Sequence, residues 1–168
     1  MKKLLVAGAV LCIMVGTAKA DQSIGFGGGQ SDGHSYSGVY AVKPGMSGVM
    51  RYEKYKAFDN IKLSYGASVR GFTWTQRHNG EDKETVEYGV MPAVETTVYV
   101  KFCESLQPYV RGGVGAEIGG GDHRGALQVG YGLAGTISEN WSVELGQTHS
   151  WSSEKRLDFI EMVFKYHF

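Results

Sequence analysis

Cysteine and proline are nearly absent from this chain of 168 residues, which holds two of the first and three of the second. Cys12 lies inside an N-terminal apolar run and Cys103 stands alone beyond it, so no internal disulfide can form there. A disulfide-stapled secreted scaffold is thereby excluded, and so is a cysteine-rich zinc site. A basic surplus is missing as well, since Lys+Arg and Asp+Glu number 17 each. The first 20 residues have the form of a secretory signal: Lys2 and Lys3, an apolar run from Leu4 to Val15, then Ala18 and Ala20 before a cleavage point. Without Lys2, Lys3 and Lys19, the segment from Asp21 to Phe168 has 14 basic against 17 acidic residues, a formal charge of −3. That balance speaks against a nucleic-acid partner and against a polybasic membrane-surface protein. Long hydrophobic runs are lacking too: nothing after the signal reaches the ~18–20 apolar residues of a transmembrane helix. Glycine is the excess, with 25 residues, about twice the usual ~7%.

Helical periodicity is scarce, and strict alternation takes its place. In the last residues, Ile160, Met162, Phe164, Tyr166 and Phe168 fall on one face, against Phe159, Glu161, Val163, Lys165 and His167. Side chains alternate faces along a strand, so the segment reads as a strand with one apolar and one mixed face. The same pattern sets Leu127, Val129, Tyr131 and Leu133 against Ala126, Gln128, Gly130, Gly132 and Ala134. It recurs over 141–146, 106–118, 86–102 and 61–70, and two less regular strands fall near Ser23–Gln30 and Ser47–Lys56. The count is eight strands in a single domain over residues 21–168.

The mixed face decides between a soluble sandwich and a membrane barrel. A soluble protein exposes a face dense in charge. Here that face is glycine, alanine and serine with isolated ions of both signs: Arg70, Glu95, Lys101, Arg111, Glu117, Glu144, Glu161 and Lys165. Small residues and pairable charges suit a narrow interior, while the apolar face suits lipid, which is the inside-out pattern of a transmembrane β-barrel. Closure also leaves no unpaired edge in hydrocarbon. Trp141 and Trp151 share a face ten residues apart. At ~3.3 Å per residue and a tilt near 40°, that spans roughly 25 Å, the height between two aromatic girdles. The expected fold is therefore an all-β, eight-stranded antiparallel transmembrane barrel. An eight-stranded barrel is just wide enough for its own side chains, so no pore is expected.

Short connections fall at Ala57–Asn60, Cys103–Ser105 and Ser138–Asn140, expected on the periplasmic side. The outward set falls near Ser31–Met46, Arg77–Thr85, Gly119–Arg124 and Ser152–Arg156. The third and fourth strands, about Ile61–Arg77 and Val86–Phe102, exceed the ~9–11 residues that span a bilayer. Their excess predicts a two-stranded ribbon above the membrane carrying Phe72, Trp74, Arg77 and His78, with Lys83 in a charged tip. Aromatic and arginine residues are the common binding hot spots, so these five are the candidate surface-binding residues. The alternative for Trp74 is a place in the outer girdle with Trp151.

Particular segments carry a family resemblance: VKPG at Val42–Gly45, MRYE at Met50–Glu53, YGASVRGFTWT at Tyr65–Thr75, YVRGGVGA at Tyr109–Ala116, YGLAGTISENWSVELG at Tyr131–Gly146, and the terminal FKYHF. In these the chain resembles the OmpX/Ail/PagC/Lom family of small enterobacterial outer-membrane proteins. The resemblance implies a bacterial outer-membrane location and a role in adhesion, invasion or serum resistance, exerted through protruding loops. The third and fourth outer loops are short by that standard. Outer-membrane lipid, lipopolysaccharide and host surface or matrix proteins are the implied partners of a monomer, with no cofactor.

An enzymatic alternative resembles the lipid A 3-O-deacylases of the PagL type, which place a His-x-Ser on the seventh barrel strand and an acid on the eighth. The corresponding residues here are His149, Ser150 or Ser152, and Asp158. A serine–histidine–acid set works by geometry, the base reaching both nucleophile and acid. Strand parity puts His149 and Asp158 on the lipid side and both serines inward, and the residue two after His149 is Trp151. His34, His78, His123 and His149 fall one to each outward region. A metal needs three or four ligands converging within ~2.2 Å, and nothing in the spacing forces that, so no metal is expected. Circular dichroism in detergent should be strand-dominated, and the folded protein should migrate more slowly on gels after boiling. A helical spectrum would exclude the barrel.

Overall fold

A computed structural model describes residues 21–35, 39–78, 84–103, 105–119 and 122–168. The signal-like segment 1–20 lies outside them. The chain forms antiparallel strands β1 (Gln22–Ser35), β2 (Val39–Lys43), β3 (Gly45–Phe58), β4 (Ile61–His78), β5 (Glu84–Val100), β6 (Leu106–Gly119), β7 (Asp122–Thr136), β8 (Trp141–Trp151) and β9 (Lys155–His167). Both β2 and β3 pair with β1 on one side and β4 on the other, so together they make one barrel strand. Pro44 separates them, since it has no N–H to give a ladder, and the register against β4 shifts between Ala41 and Lys43. The wall closes by pairing β1 with β9, for example Phe26 opposite Phe164. The result is a closed eight-stranded barrel.

The first and last described residues, Asp21 and Phe168, lie at one end of the barrel, beside the turns after β3, β5 and β7. The Phe168 N–H bonds the Gln22 carbonyl there, at 3.0 Å. Strand parity is as the alternation predicts. Val94, Val110, Val114, Leu127, Leu133, Leu145, Ile160, Met162 and Phe164 stand exposed on the outside, where lipid would cover them. Trp141 packs on Tyr166 at the terminal end, ring centres 5.1 Å apart, and Trp151 stands at the opposite end of β8.

The interior is filled in layers. Toward the rim opposite the termini, Phe72 stacks on Trp74 with ring centres 5.6 Å apart and planes 8° apart. Phe159 meets Phe72 edge-on, and Met91, Leu157 and Ala126 complete this apolar plug. Below it Arg70 forks onto Glu161 through Nε and Nη2 at 2.7 and 3.0 Å. Deeper still, Glu144 accepts from Arg51 (3.2 Å), Arg111 (2.9 Å), Lys165 (2.5 Å) and the Tyr99 hydroxyl (2.6 Å). Glu95 accepts from Arg51 at 2.9 Å, while Glu53 meets Lys165 and Arg111. Tyr55, Tyr99, Tyr109 and Ala134 close the terminal end. Gly132 and Gly146 face each other across β7 and β8, and the Tyr109 hydroxyl lies over them. A Cβ on Gly146 would stand 2.1 Å from that oxygen, so the tyrosine's place requires glycine.

Several expectations need correction. Lys101 does not enter the interior: β5 ends at Val100, and Lys101 is exposed in the following turn, its N–H on the Asn60 carbonyl at 2.8 Å. Alternation lapses once the ladder ends. Arg51 and Glu53, which lie on one of the two irregular strands, are interior members the alternation reading passed over. The region Ser31–Met46 is mostly strand rather than loop, because β9 and β4 pair with it and hold the Gly/Ser-rich backbone extended. Among the described residues the excess of β4 and β5 is part of a sheet that also includes β2 rather than a two-stranded ribbon. At its far end β4 is paired on both sides, Val39 with His78 and Arg77 with Glu84. Among the described residues, β6 joins β5 from Gly89 opposite Gly119. The stretch of β5 before Gly89 thus belongs to a sheet raised above β6, paired with β4.

Charge pairing in a dry interior makes the network costly to break, because removing one partner strands the others without counterions. Glu144→Ala should lower the unfolding free energy by about 3–5 kcal/mol, measured by urea unfolding in detergent micelles. Lys101→Ala should stay within about 0.5 kcal/mol of wild type.

Candidate functional site on the outer wall

Strands β8 and β9 bring two of the sequence candidates together. His149 and Asp158 are directly opposite in register, both on the outward face. Nδ1 of His149 lies 2.5 Å from Oδ1 of Asp158, each side chain 14% exposed. A carboxylate only accepts, so the shared proton sits on Nδ1, and the imidazole presents Nε2 away from the pair. Arg156, on the same face of β9, donates from Nε to the same Asp158 oxygen at 2.8 Å. Its Nη2 lies 3.1 Å from His149 Nδ1. The His149 ring packs between Tyr131, at 5.9 Å, and Trp151, at 5.7 Å. Asp32 of β1 stands opposite Asp158 in register, so the polar group continues across the β1–β9 seam.

The two candidate nucleophiles are elsewhere. Ser150 points inward, 2% exposed, with its hydroxyl 3.4 Å from the Met91 sulfur. Ser152 lies in the turn after β8 and donates to the Lys155 carbonyl at 3.2 Å. The outward position that would carry a serine holds Trp151. Arg156 and Tyr131 were not singled out as site residues by the sequence, although both share outward parity with the histidine.

The aromatic pair assigned to the rim is not exposed. Phe72 and Trp74 are 4% and 6% accessible and belong to the interior plug, with the Lys155 ammonium 4.0 Å above the Trp74 ring. Trp74 therefore belongs to neither a ribbon nor the outer girdle. The reason is parity: Ser64, Ser68, Arg70, Phe72 and Trp74 occupy one face of β4, the buried one. Lys83 falls outside the described residues, as do the side chains of Arg77 and His78. At the rim Val86 and Tyr88 of β5 are 63% and 75% exposed. Among the described residues no cluster of metal-ligating side chains converges.

No family model and no curated protein sequence matches this chain. Solved structures do. Neisserial surface protein A superposes with a TM-score of 0.61 at 11% identity, over 90% of this chain and 99% of its own. The fold is that of the small outer-membrane barrels. The outer membrane enzyme PagL follows the same path with a TM-score of 0.55 at 13% identity, over 87% of this chain and 99% of its own. The attachment invasion locus protein Ail of Yersinia pestis gives 0.53 at 13% identity, over 88% and 97%. An apolar outer band on a closed barrel of this kind places the chain in a bacterial outer membrane. The neighbours include an attachment invasion protein, a surface protein and an enzyme, so the fold leaves the activity open.

The outward and inward assignments along β8 can be read chemically. On a Cys103→Ser background, Trp151→Cys should react with a lipid-soluble thiol reagent, whereas Ser150→Cys should resist lipid-soluble and water-soluble reagents alike. Equal labelling of the two would contradict the parity described for β8.

Proposed function

We propose that this protein is a non-enzymatic outer-membrane barrel that binds host or envelope surface components at its rim, in the manner of an adhesion, invasion or serum-resistance factor. The reading takes the end carrying Asp21 and Phe168 as periplasmic, so that the opposite rim faces the cell exterior. The observation that carries it is the raised sheet: among the described residues β6 joins β5 only from Gly89 onward, and beyond that point β5 displays Val86 and Tyr88 with most of their surface uncovered. Exposed aromatic and branched side chains on a rigid sheet are economical contact groups, because little side-chain entropy is lost on binding. The contact surface in this reading is sheet rather than loop, since the outward connections are short. Phe72 and Trp74 act in it only indirectly, by filling the barrel beneath the rim.

A second reading, a lipid A deacylase of the PagL type, is favoured by the 2.5 Å contact of His149 with Asp158 on the lipid side. What weighs against it is the position of both serine hydroxyls, one inside the barrel and one engaged in a turn. An acyl ester held outside the wall would meet the base without the nucleophile.

One comparison separates the two readings. Val86→Ser combined with Tyr88→Ser should weaken adhesion of producing cells to host cells or matrix about tenfold, with the lipid A mass spectrum unchanged. Cells carrying the wild-type protein and cells carrying His149→Ala should give the same lipid A masses. Loss of an acyl chain that depends on His149 would replace the binding reading with the hydrolase.

A further inference from the structure

The interior carries a surplus cation at the end beside Asp21 and Phe168. Arg51, Arg70, Arg111 and Lys165 are answered by Glu53, Glu95, Glu144 and Glu161. Lys62 is a further inward-facing cation, on the face of β4 shared with Ser64, Ser68 and Arg70, and it forms no ion pair among the described residues. Its ammonium lies over the Tyr55 ring, 3.7 Å from the centre, and 5.8 Å from that of Tyr99. A π face holds a cation without neutralising it. We infer that Lys62 anchors a binding site for a single carboxylate group entering from this end of the barrel. The inference stands apart from the rim-binding reading and uses none of its residues.

Space and donors converge on the same point. A partly open cavity of about 50 Å³ lies beside Lys62, with the buried Glu144 and Lys165 at its inner end. One water takes about 10–15 Å³ of such space, so the cavity accommodates a carboxylate on a short stem. Gln107 and Thr136 also line it, and neither side chain makes a hydrogen bond among the described residues. The amide and the hydroxyl are thus available to donate to an oxyanion. The ring faces of Tyr55 and Tyr99 and the Ala134 methyl give the stem an apolar wall.

Charge selects the ligand. A cation entering here would meet Lys62 and Lys165. Phosphate, close to doubly charged at neutral pH, would find one surplus cation with the Glu144 carboxylate behind it. Arg51, Arg111 and Lys165 already neutralise Glu144, so a singly charged group meets chiefly the field of Lys62. Chloride satisfies that charge but leaves the amide, the hydroxyl and the apolar wall unused. A free small acid and the C-terminus of a peptide share the carboxylate chemistry that remains.

The test is an NMR titration of the refolded full barrel in non-ionic detergent, read at the Gln107 side-chain amide and the Thr136 methyl. The probes are acetate and N-acetylalanine, with acetamide, chloride and inorganic phosphate as controls at matched ionic strength. Acetate or N-acetylalanine should shift both signals saturably, while acetamide and chloride leave them in place and phosphate binds about tenfold more weakly. Tighter binding of N-acetylalanine identifies a peptide terminus as the source, and tighter binding of acetate a free small acid. Lys62→Met should weaken carboxylate binding about tenfold, and Lys62→Arg, which keeps the charge, should stay within about threefold. Lys101→Met, in the neighbouring turn, should match wild type. Slower migration after boiling verifies that each variant is folded. Absence of saturable shifts with either carboxylate, equal shifts with chloride, or undiminished binding by Lys62→Met would overturn the inference.

Discussion

Glu144 is the group on which the interior depends. Its carboxylate receives Arg51 from β3, Arg111 from β6, Lys165 from β9 and the Tyr99 hydroxyl from β5, so one side chain of β8 ties five strands together. Each of those cations also meets Glu53 or Glu95. With Arg70 on Glu161, four buried cations face Glu53, Glu95, Glu144 and Glu161 among the described residues, and the fifth buried carboxylate, Glu117, pairs with Lys155. Charges of this kind tolerate a narrow lumen only when matched. The match in turn requires that every strand keep its register, because a slip by one residue would turn the charges to the lipid and the valines inward.

A filled interior moves function to the surfaces. The Phe72–Trp74–Phe159 plug occupies one end and the tyrosine layer the other. What remains available is the rim, where β5 rises beyond β6, the outer wall, where polar groups interrupt an apolar band, and the small cavity beside Lys62. Rim and wall differ in kind. At the rim the uncovered groups are apolar and aromatic on a raised sheet, suited to a macromolecular partner. On the wall a histidine, an arginine and a carboxylate are held together beside aromatic rings.

The comparison with PagL illustrates how little separates a binding surface from a catalytic one. A histidine held by an acid is present on the lipid face. The outward position two residues after the histidine holds Trp151, whose ring packs on the imidazole. The barrel wall positions side chains by strict alternation, and one substitution changes what a position can do.

Much of this was legible in the chain itself. Period-two alternation determined which residues of β4 through β9 face lipid and which face inward, since each strand is long and paired on both sides over most of its length. It also determined the fate of Phe72 and Trp74, which share parity with Ser68 and Arg70. Their aromatic character suggested exposure, and parity was the stronger physical signal. The length of the first outward connection was not legible, because glycine, serine and aspartate suit both a loop and a strand whose neighbours supply the hydrogen bonds. Nor could the alternation show that Lys101 lies past the end of its ladder. Cross-strand partners were beyond reach altogether. That His149 meets Asp158, and that Arg51 and Arg111 share Glu144, follows from the register of separate strands around a closed wall, a property set by the tertiary pairing and not by any local run of residues.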